Sequence, residues 1–190
     1  MAHDPERSYD AVAEEYARRI FHELDGKPFD RQLLDRFARE LQGASVDLSS
    51  AMVERARHLI PSLDFTRGDM LHLDGPDGQW AGVLALYSLI HIPREQVVDA
   101  LHEFKRVLRP EGRLLVSFHI GDKSLHLDEW WWGNPVAVDF ALFQPAEMAG
   151  YLTVAGFEIL ESLERDPYAP DIEHQSRRCY ISAAGPSLTR

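Results

Sequence analysis

Apolar positions recur at helical spacing through the first forty or so residues. Tyr9, Val12, Ala13, Tyr16 and Ile20 fall on one stripe and predict an amphipathic helix over 7–23. Asp25-Gly26-Lys27-Pro28 breaks it. Leu33, Leu34, Phe37 and Leu41 form a second stripe, over 30–42, which Gly43 ends. Residues 44–48 predict a short strand. Ser49 or Ser50 then caps a helix bearing Met52, Val53, Ala56 and Leu59, and Pro61 stops it.

Beyond that point the period changes. Residues 63–66 predict a short strand, followed by a loop from Gly68 through Gly78. Residues 81–87 are an unbroken apolar run, the pattern of a strand buried on both faces. Pro93 opens a helix with Val97, Val98, Leu101, Phe104 and Leu108 inward. Arg109-Pro110-Glu111-Gly112 reads as a turn and 114–119 as a strand. Residues 121–143 form a long, aromatic-rich connection. Gln144-Pro145 starts a helix through Met148 and Leu152, ended by Gly156; 157–163 and 178–183 are the last strands. Strands alternating with helices predict an α/β fold with a parallel-rich sheet, in one domain over 1–190.

Charge narrows the function. Thirty-one acidic against 20 basic residues give a net charge of −11, which repels a phosphate backbone and argues against nucleic acid as partner. The longest nearly apolar stretch, 81–90, is too short to span a membrane. The first residues lack the apolar core of a secretory signal, and the lone Cys179 has no internal disulfide partner, so a reducing cytoplasm is expected. No His-x-x-x-His helix or cysteine cluster suggests a metal site, and no Gly-x-Ser-x-Gly elbow suggests a serine nucleophile.

Four motifs occur in a telling order: Val46-Asp47-Leu48-Ser49, Gly68-Asp69-Met70, Ala85-Leu86-Tyr87-Ser88 and Leu108-Arg109-Pro110-Glu111-Gly112-Arg113-Leu114. From Tyr9 to about Ala184 the chain resembles class I S-adenosylmethionine (SAM)-dependent methyltransferases of the bacterial small-molecule type. The resemblance implies a Rossmann-like sheet flanked by helices and SAM as cofactor. It also implies site roles. Asp47, with Leu48 beside it, would accept hydrogen bonds from the ribose hydroxyls at a strand's carboxyl end. Asp69 and Met70 would flank the adenine. Leu86, Tyr87 and Ser88 would line the floor beneath the methionine moiety, and Tyr9 and Tyr16 would lie on a helix that closes over the cofactor. Plainer readings stand beside these: Asp47 as a charge favourable to a helix N-terminus, Tyr9 and Tyr16 as core, Tyr87-Ser88 as a strand end.

One family element is missing. Class I methyltransferases begin with a strand, a Gly-x-Gly-type loop and a helix. Here 12 glycines include no Gly-x-Gly, and only residues 43–46 separate the second helix from Asp47. The chain reads as truncated by loss of the first βα unit, on the order of thirty residues. SAM binding is therefore expected to be weak or lost. With the central strand gone, residues 44–48 are expected to slide in beside 81–87, which preserves more backbone hydrogen bonds than a split sheet.

On the acceptor side, His91 and His119 follow strand ends and are candidate bases; His126 lies in the long connection. Trp130, Trp131, Trp132 and Phe140 suit a lid within 121–143 over a small, partly apolar acceptor. A satellite hydrophobic cluster or a homodimer contact would use the same residues. The alternative to a small-molecule methyltransferase is a non-catalytic binding or interaction module on the same fold.

Overall fold

A computed structural model of the chain describes residues 2–39, 45–130 and 133–185. Two compact units emerge: Met1–Asp69 with His126–Asp139, and Met70–Leu125 with Phe140–Arg190.

In the first unit, helix α1 (Pro5–Ile20) is capped by Asp4, whose side chain accepts the Arg7 N–H, and Pro5 occupies the first turn where its missing donor costs nothing. Ser8, Val12 and Ala13 are its buried face. Ser8 is tolerated there because its hydroxyl donates to the Asp4 carbonyl and accepts the Ala137 N–H at 2.9 Å. Helix α2 (Pro28–Ala38) buries Leu33 and Phe37. Strand β1 (Ser45–Asp47), helix α3 (Ser50–Leu59) and strand β2 (Phe65–Arg67) follow, with β1 and β2 paired in parallel from Ser45↔Phe65 to Asp47↔Arg67.

The second unit is built on a four-stranded sheet. Strand β3 (Trp80–Leu86) leads through helix α4 (Val97–Val107) to strand β4 (Leu108–His119). Strands β5 (Ser124–Trp130) and β6 (Asn134–Ala141) form a two-stranded ribbon, of which residues 126–139 belong to the first unit. Helix α5 (Pro145–Val154) and strands β7 (Glu158–Arg165) and β8 (Arg178–Ala184) complete the chain. The order is β3-β4-β8-β7; β3 and β4 run parallel, and β8 is antiparallel to both its neighbours. Leu114, Val116 and Phe118 point from β4 into a core shared with Leu101, Phe104 and Val107 of α4 and with Met148 and Leu152 of α5. Each such side chain contributes about 1.5–3 kcal/mol on burial. The result is a mixed α/β fold with a sheet flanked by helices.

The structure departs from the sequence expectations in the connection over 121–143, which carries β5 and β6, in the main sheet, which has one parallel and two antiparallel pairings instead of being parallel-rich, and at three further places. First, β3 is not buried on both faces: Leu84 is 44% exposed, and β3 is an edge strand with β4 as its neighbour in the sheet. Second, β1 is not paired with β3 as expected; its partner is β2, in a two-stranded sheet. Third, the turn at 109–112 is carried inside a strand. Trp80 pairs with Leu108 and Gly82 with Arg113, so the intervening residues bulge out of register, with Glu111 at φ 60°. Gly112 is required there, since a Cβ would lie 2.7 Å from the Arg109 carbonyl oxygen. Residues 40–44, including Gly43, and Trp131 and Trp132 lie outside the described residues. No helix among the described residues is long and apolar enough to cross a membrane.

The loop between β7 and β8 is held by a buried ion cluster. The Glu173 carboxylate pairs with Arg165, which donates to Oε2 at 3.0 Å, and with Arg178 Nε at 3.2 Å, and accepts the Tyr168 N–H at 2.7 Å. Burial alone would raise the Glu173 pKa, but the Arg165 hydrogen bond, the Tyr168 N–H and the Arg178 and Arg165 charges hold it at about 2. Glu173→Gln leaves two guanidinium groups without their counter-charge and is expected to cost about 3–5 kcal/mol, read from urea unfolding at neutral pH. A carboxylate depressed on folding stabilises above its unfolded pKa of about 4.3, and that stabilisation disappears as pH falls through the folded value. The wild type should therefore lose stability as pH falls from about 4.3 through about 2, and the variant correspondingly less.

Candidate active site

Asp47 ends β1 and starts the turn into α3. Its Oδ1 accepts the Ser49 N–H at 2.8 Å, a side-chain turn that sets the chain's direction into the helix. Ser49 is the cap: its Oγ accepts the Met52 N–H at 3.1 Å and donates to Asp10 Oδ1 at 2.5 Å, while Ala51 N–H donates to the same Asp10 oxygen at 3.0 Å. Two carboxylates thus meet one helix N-terminus and titrate in opposite directions. Asp10 is lowered, by the Ser49 hydroxyl first and the Ala51 amide second. Asp47 is raised, chiefly by desolvation and further by the Asp10 charge, against the pull of the Ser49 amide.

Tyr9 and Tyr16 stand about two helical turns apart on α1 and pack edge-to-face at 5.8 Å between ring centroids. Trp130 of β5 joins them, 5.1 Å from Tyr9 and 6.0 Å from Tyr16. Desolvation, then the Tyr16 and Asp47 charges, raise the Tyr9 hydroxyl, and desolvation with the Glu23 and Asp47 charges raises that of Tyr16, so both remain protonated donors. Tyr9, Tyr16, Asp47 and Trp130 are therefore brought together, and the spacing of the rings satisfies the packing reading as well. Leu48 is half-buried and its carbonyl accepts Arg67 Nε at 3.1 Å. Asp69 is half-buried at the end of the first unit, whereas the Met70 side chain packs on the core of the second.

In the second unit the parallel register aligns the carboxyl ends of β3 and β4, with Leu86 opposite Ser117. Tyr87 then leaves the strand at φ 48°, a backbone conformation costly for a bulky residue. It is held there by its N–H on the Ser117 carbonyl at 3.1 Å, its hydroxyl 3.0 Å from that of Tyr180, and a ring stack on His119 at 5.0 Å. Ser88 follows, half-buried, and its carbonyl accepts the His91 N–H. His91 lies edge-on to Phe140 at 4.8 Å. The sequence reading missed the loop ahead of β8. Its Ser176 hydroxyl lies 2.7 Å from His119 Nδ1 and 3.1 Å from His174 Nδ1. The run Glu173-His174-Gln175-Ser176 just before an apolar strand was the available signal. Among the described residues no group of three or more His, Cys, Asp or Glu is placed to hold a metal ion. An open hollow beside α1 and α3, lined by Asp10, Ala13, Ala51, Arg55 and His58, contains none of the expected site residues.

Residues 29–112 match the family model described as a methyltransferase domain. Demethylmenaquinone methyltransferase of Beutenbergia cavernae is 36% identical over 73 residues, which are 38% of this chain and 30% of that protein. The chain thus spans about a third of the length of that curated relative. Among solved structures, a SAM-dependent methyltransferase of Methanosarcina mazei superposes with TM-score 0.69 at 14% identity, covering 82% of this chain and 87% of that one. Burkholderia thailandensis 1,6-didemethyltoxoflavin-N1-methyltransferase, solved with 1,6-didemethyltoxoflavin and S-adenosylhomocysteine, superposes with TM-score 0.63 at 17% identity, covering 98% and 92%. The fold is that of the SAM-dependent class I methyltransferases. The methyltransferase-domain model covers residues 29–112, under half of the chain.

The Ser49 knot generates a direct test. Ser49→Ala should cost about 0.5–2 kcal/mol in unfolding free energy, the range for a lost helix cap. It should also raise the Asp10 pKa in a carbon-13 titration. An unmoved Asp10 would show that the Ser49 hydroxyl does not hold that carboxylate in solution.

Proposed function

We propose that this protein is a SAM-dependent methyltransferase-like domain that transfers a methyl group to a small, partly apolar molecule and holds its cofactor weakly. The observation that carries the reading is Asp47, a carboxylate at the carboxyl end of β1 with one oxygen committed to the Ser49 amide. That donor set fits a ribose diol: the carboxylate accepts and the hydroxyls donate. Asp69 and Met70 would flank the adenine, and Tyr9 and Tyr16 would supply protonated hydroxyls and ring faces over it. The methionine end is less well served, because the sequence has no Gly-x-Gly to let backbone amides approach it. This supports weak binding and the reading of a lost first βα unit.

Methyl transfer is an in-line displacement in which the cofactor supplies the electrophilic carbon and the protein supplies positioning and a base. His119 and His91, at the carboxyl ends of β4 and after β3, are the candidate bases, and Phe140 beside His91 offers apolar surface to the acceptor. Trp130, packed against Tyr9 and Tyr16, is assigned to the lid. The demethylmenaquinone and didemethyltoxoflavin activities of the two relatives favour a small-molecule acceptor. The cytoplasm is the compartment this reading assigns, and a homodimer is compatible with it.

Calorimetry with SAM and S-adenosylhomocysteine tests the proposal. Binding is expected at a Kd above about 1 µM, about −8 kcal/mol or weaker. Asp47→Ala should remove about 1.5–3 kcal/mol of it, the range for hydrogen bonds to a charged group. Unchanged affinity in the variant would take Asp47 out of the site. No heat with either ligand would favour a non-catalytic binding module.

A further inference from the structure

The loop ahead of β8 places one hydroxyl between two imidazoles, and the hydrogen bonds around it leave little choice of proton positions. The Ser176 backbone N–H donates to His174 Nδ1 at 3.3 Å. That nitrogen therefore carries a lone pair, and neutral His174 keeps its proton on Nε2. The Ser176 hydroxyl faces the same lone pair at 3.1 Å. A hydroxyl has one proton to give. Directed anywhere but at His174 Nδ1, it would leave two lone pairs facing each other at that distance. The two remaining contacts on Oγ must then be accepted. Arg178 Nη1, at 3.3 Å, is a donor in every state. The other contact is His119 Nδ1 at 2.7 Å, which must carry a proton. One donor and two acceptor sites are the full capacity of a serine hydroxyl, and this assignment uses all three.

We propose that Ser176 is a positioning residue that fixes His119, at the end of β4, as the Nδ1–H tautomer, so that Nε2 is the basic nitrogen of the ring and acts as the base of the reaction. The rest of the cluster serves the same geometry. Tyr87 stacks on the His119 ring at 5.0 Å and is itself tied to Tyr180 at 3.0 Å, so the ring plane is held as well as the tautomer. Arg178, which positions Ser176, is anchored by buried Glu173 at 3.2 Å. The role as base rests on the methyl-transfer reading above. When bound, the sulfonium cofactor supplies a methyl carbon and takes the C–S electron pair onto sulfur as a neutral thioether. The acceptor X–H gives its proton to His119 Nε2 as its lone pair forms the X–C bond, and the imidazolium returns the proton to water. The acceptor class this suits is one whose nucleophilic atom carries an ionisable proton, such as a phenolic or enolic hydroxyl or a ring N–H.

The experiment separates the tautomer from the chemistry. Nitrogen-15 histidine spectra of the full chain near pH 8, about 1.5 units above the ordinary histidine pKa, report which ring nitrogen is protonated. His119→Gln identifies the His119 signals by their loss. The expected wild-type result is a proton on His119 Nδ1. Ser176→Ala should release His119 to a tautomer mixture and lower kcat about tenfold or more with little change in KM, within the range carried by a general base; Ser176→Thr should restore both. A wild-type His119 protonated on Nε2 overturns the proposal. So does an Nδ1–H His119 whose replacement by Gln leaves turnover intact. Absence of turnover in the wild type overturns the methyl-transfer reading, and the base role with it, while the spectra still decide what Ser176 does to the ring.

Discussion

The parallel pairing of β3 with β4 is the constraint on which the second unit depends. Five consecutive pairs from Gly82↔Arg113 to Leu86↔Ser117 fix which residues reach the carboxyl edge together. Side chains alternate along a strand, so the register that sends Leu114, Val116 and Phe118 into the core against α4 also determines where Ser117 and His119 fall. A one-residue slip would turn the core residues outward and misalign Tyr87 with His119 at once. The apolar core and the polar edge are thus two faces of the same register, and the burial of three large side chains is what holds the edge chemistry in place.

Electrostatics is organised around groups that are buried or capped rather than around surface pairs. Glu173 is surrounded by Arg165, Arg178 and the Tyr168 amide, a buried ion cluster that positions the loop carrying Ser176, with Arg178 Nε paired by charge rather than by a hydrogen bond. Asp10 and Asp47 share the start of α3, but Asp10 receives two donors and Asp47 one, and burial then drives Asp47 up. Exposed pairs such as Arg177 with Asp166 contribute little by comparison. The same principle operates at both places: a carboxylate with enough donors stays ionised cheaply, and one with too few is raised by burial.

Tyr87 illustrates how strain is placed. Its left-handed backbone is stable because its amide, hydroxyl and ring are each engaged, by Ser117, Tyr180 and His119 respectively. Three contacts from two strands, β4 and β8, over-determine one residue, which lets a sheet edge keep an unfavourable conformation.

Much of the fold was legible in the chain. Stripes at Val12 and Ala13, at Leu33 and Phe37, and at Leu101 and Phe104 mark helices because burial repeats every 3.6 residues, and Ser49 and Pro5 mark helix starts because they solve the orphan-amide problem locally. Asp47, Tyr87 and His119 could be singled out because their motifs fall at strand ends. The ribbon of β5 and β6 was not legible, since its pairing joins residues whose alternation is weak, and an apolar run such as 81–87 cannot announce that its strand lies at an edge. Nor could the chain order reveal that Ser176, 57 positions from His119, would meet its ring. The sequence by itself determined the helices and the residue types at the ends of β1, β3 and β4, because those rest on local periodicity and capping. Only the tertiary structure decided that β1 pairs with β2 rather than with β3 and that one serine hydroxyl joins two histidines, because pairing and proton placement depend on atoms brought together from distant parts of the chain.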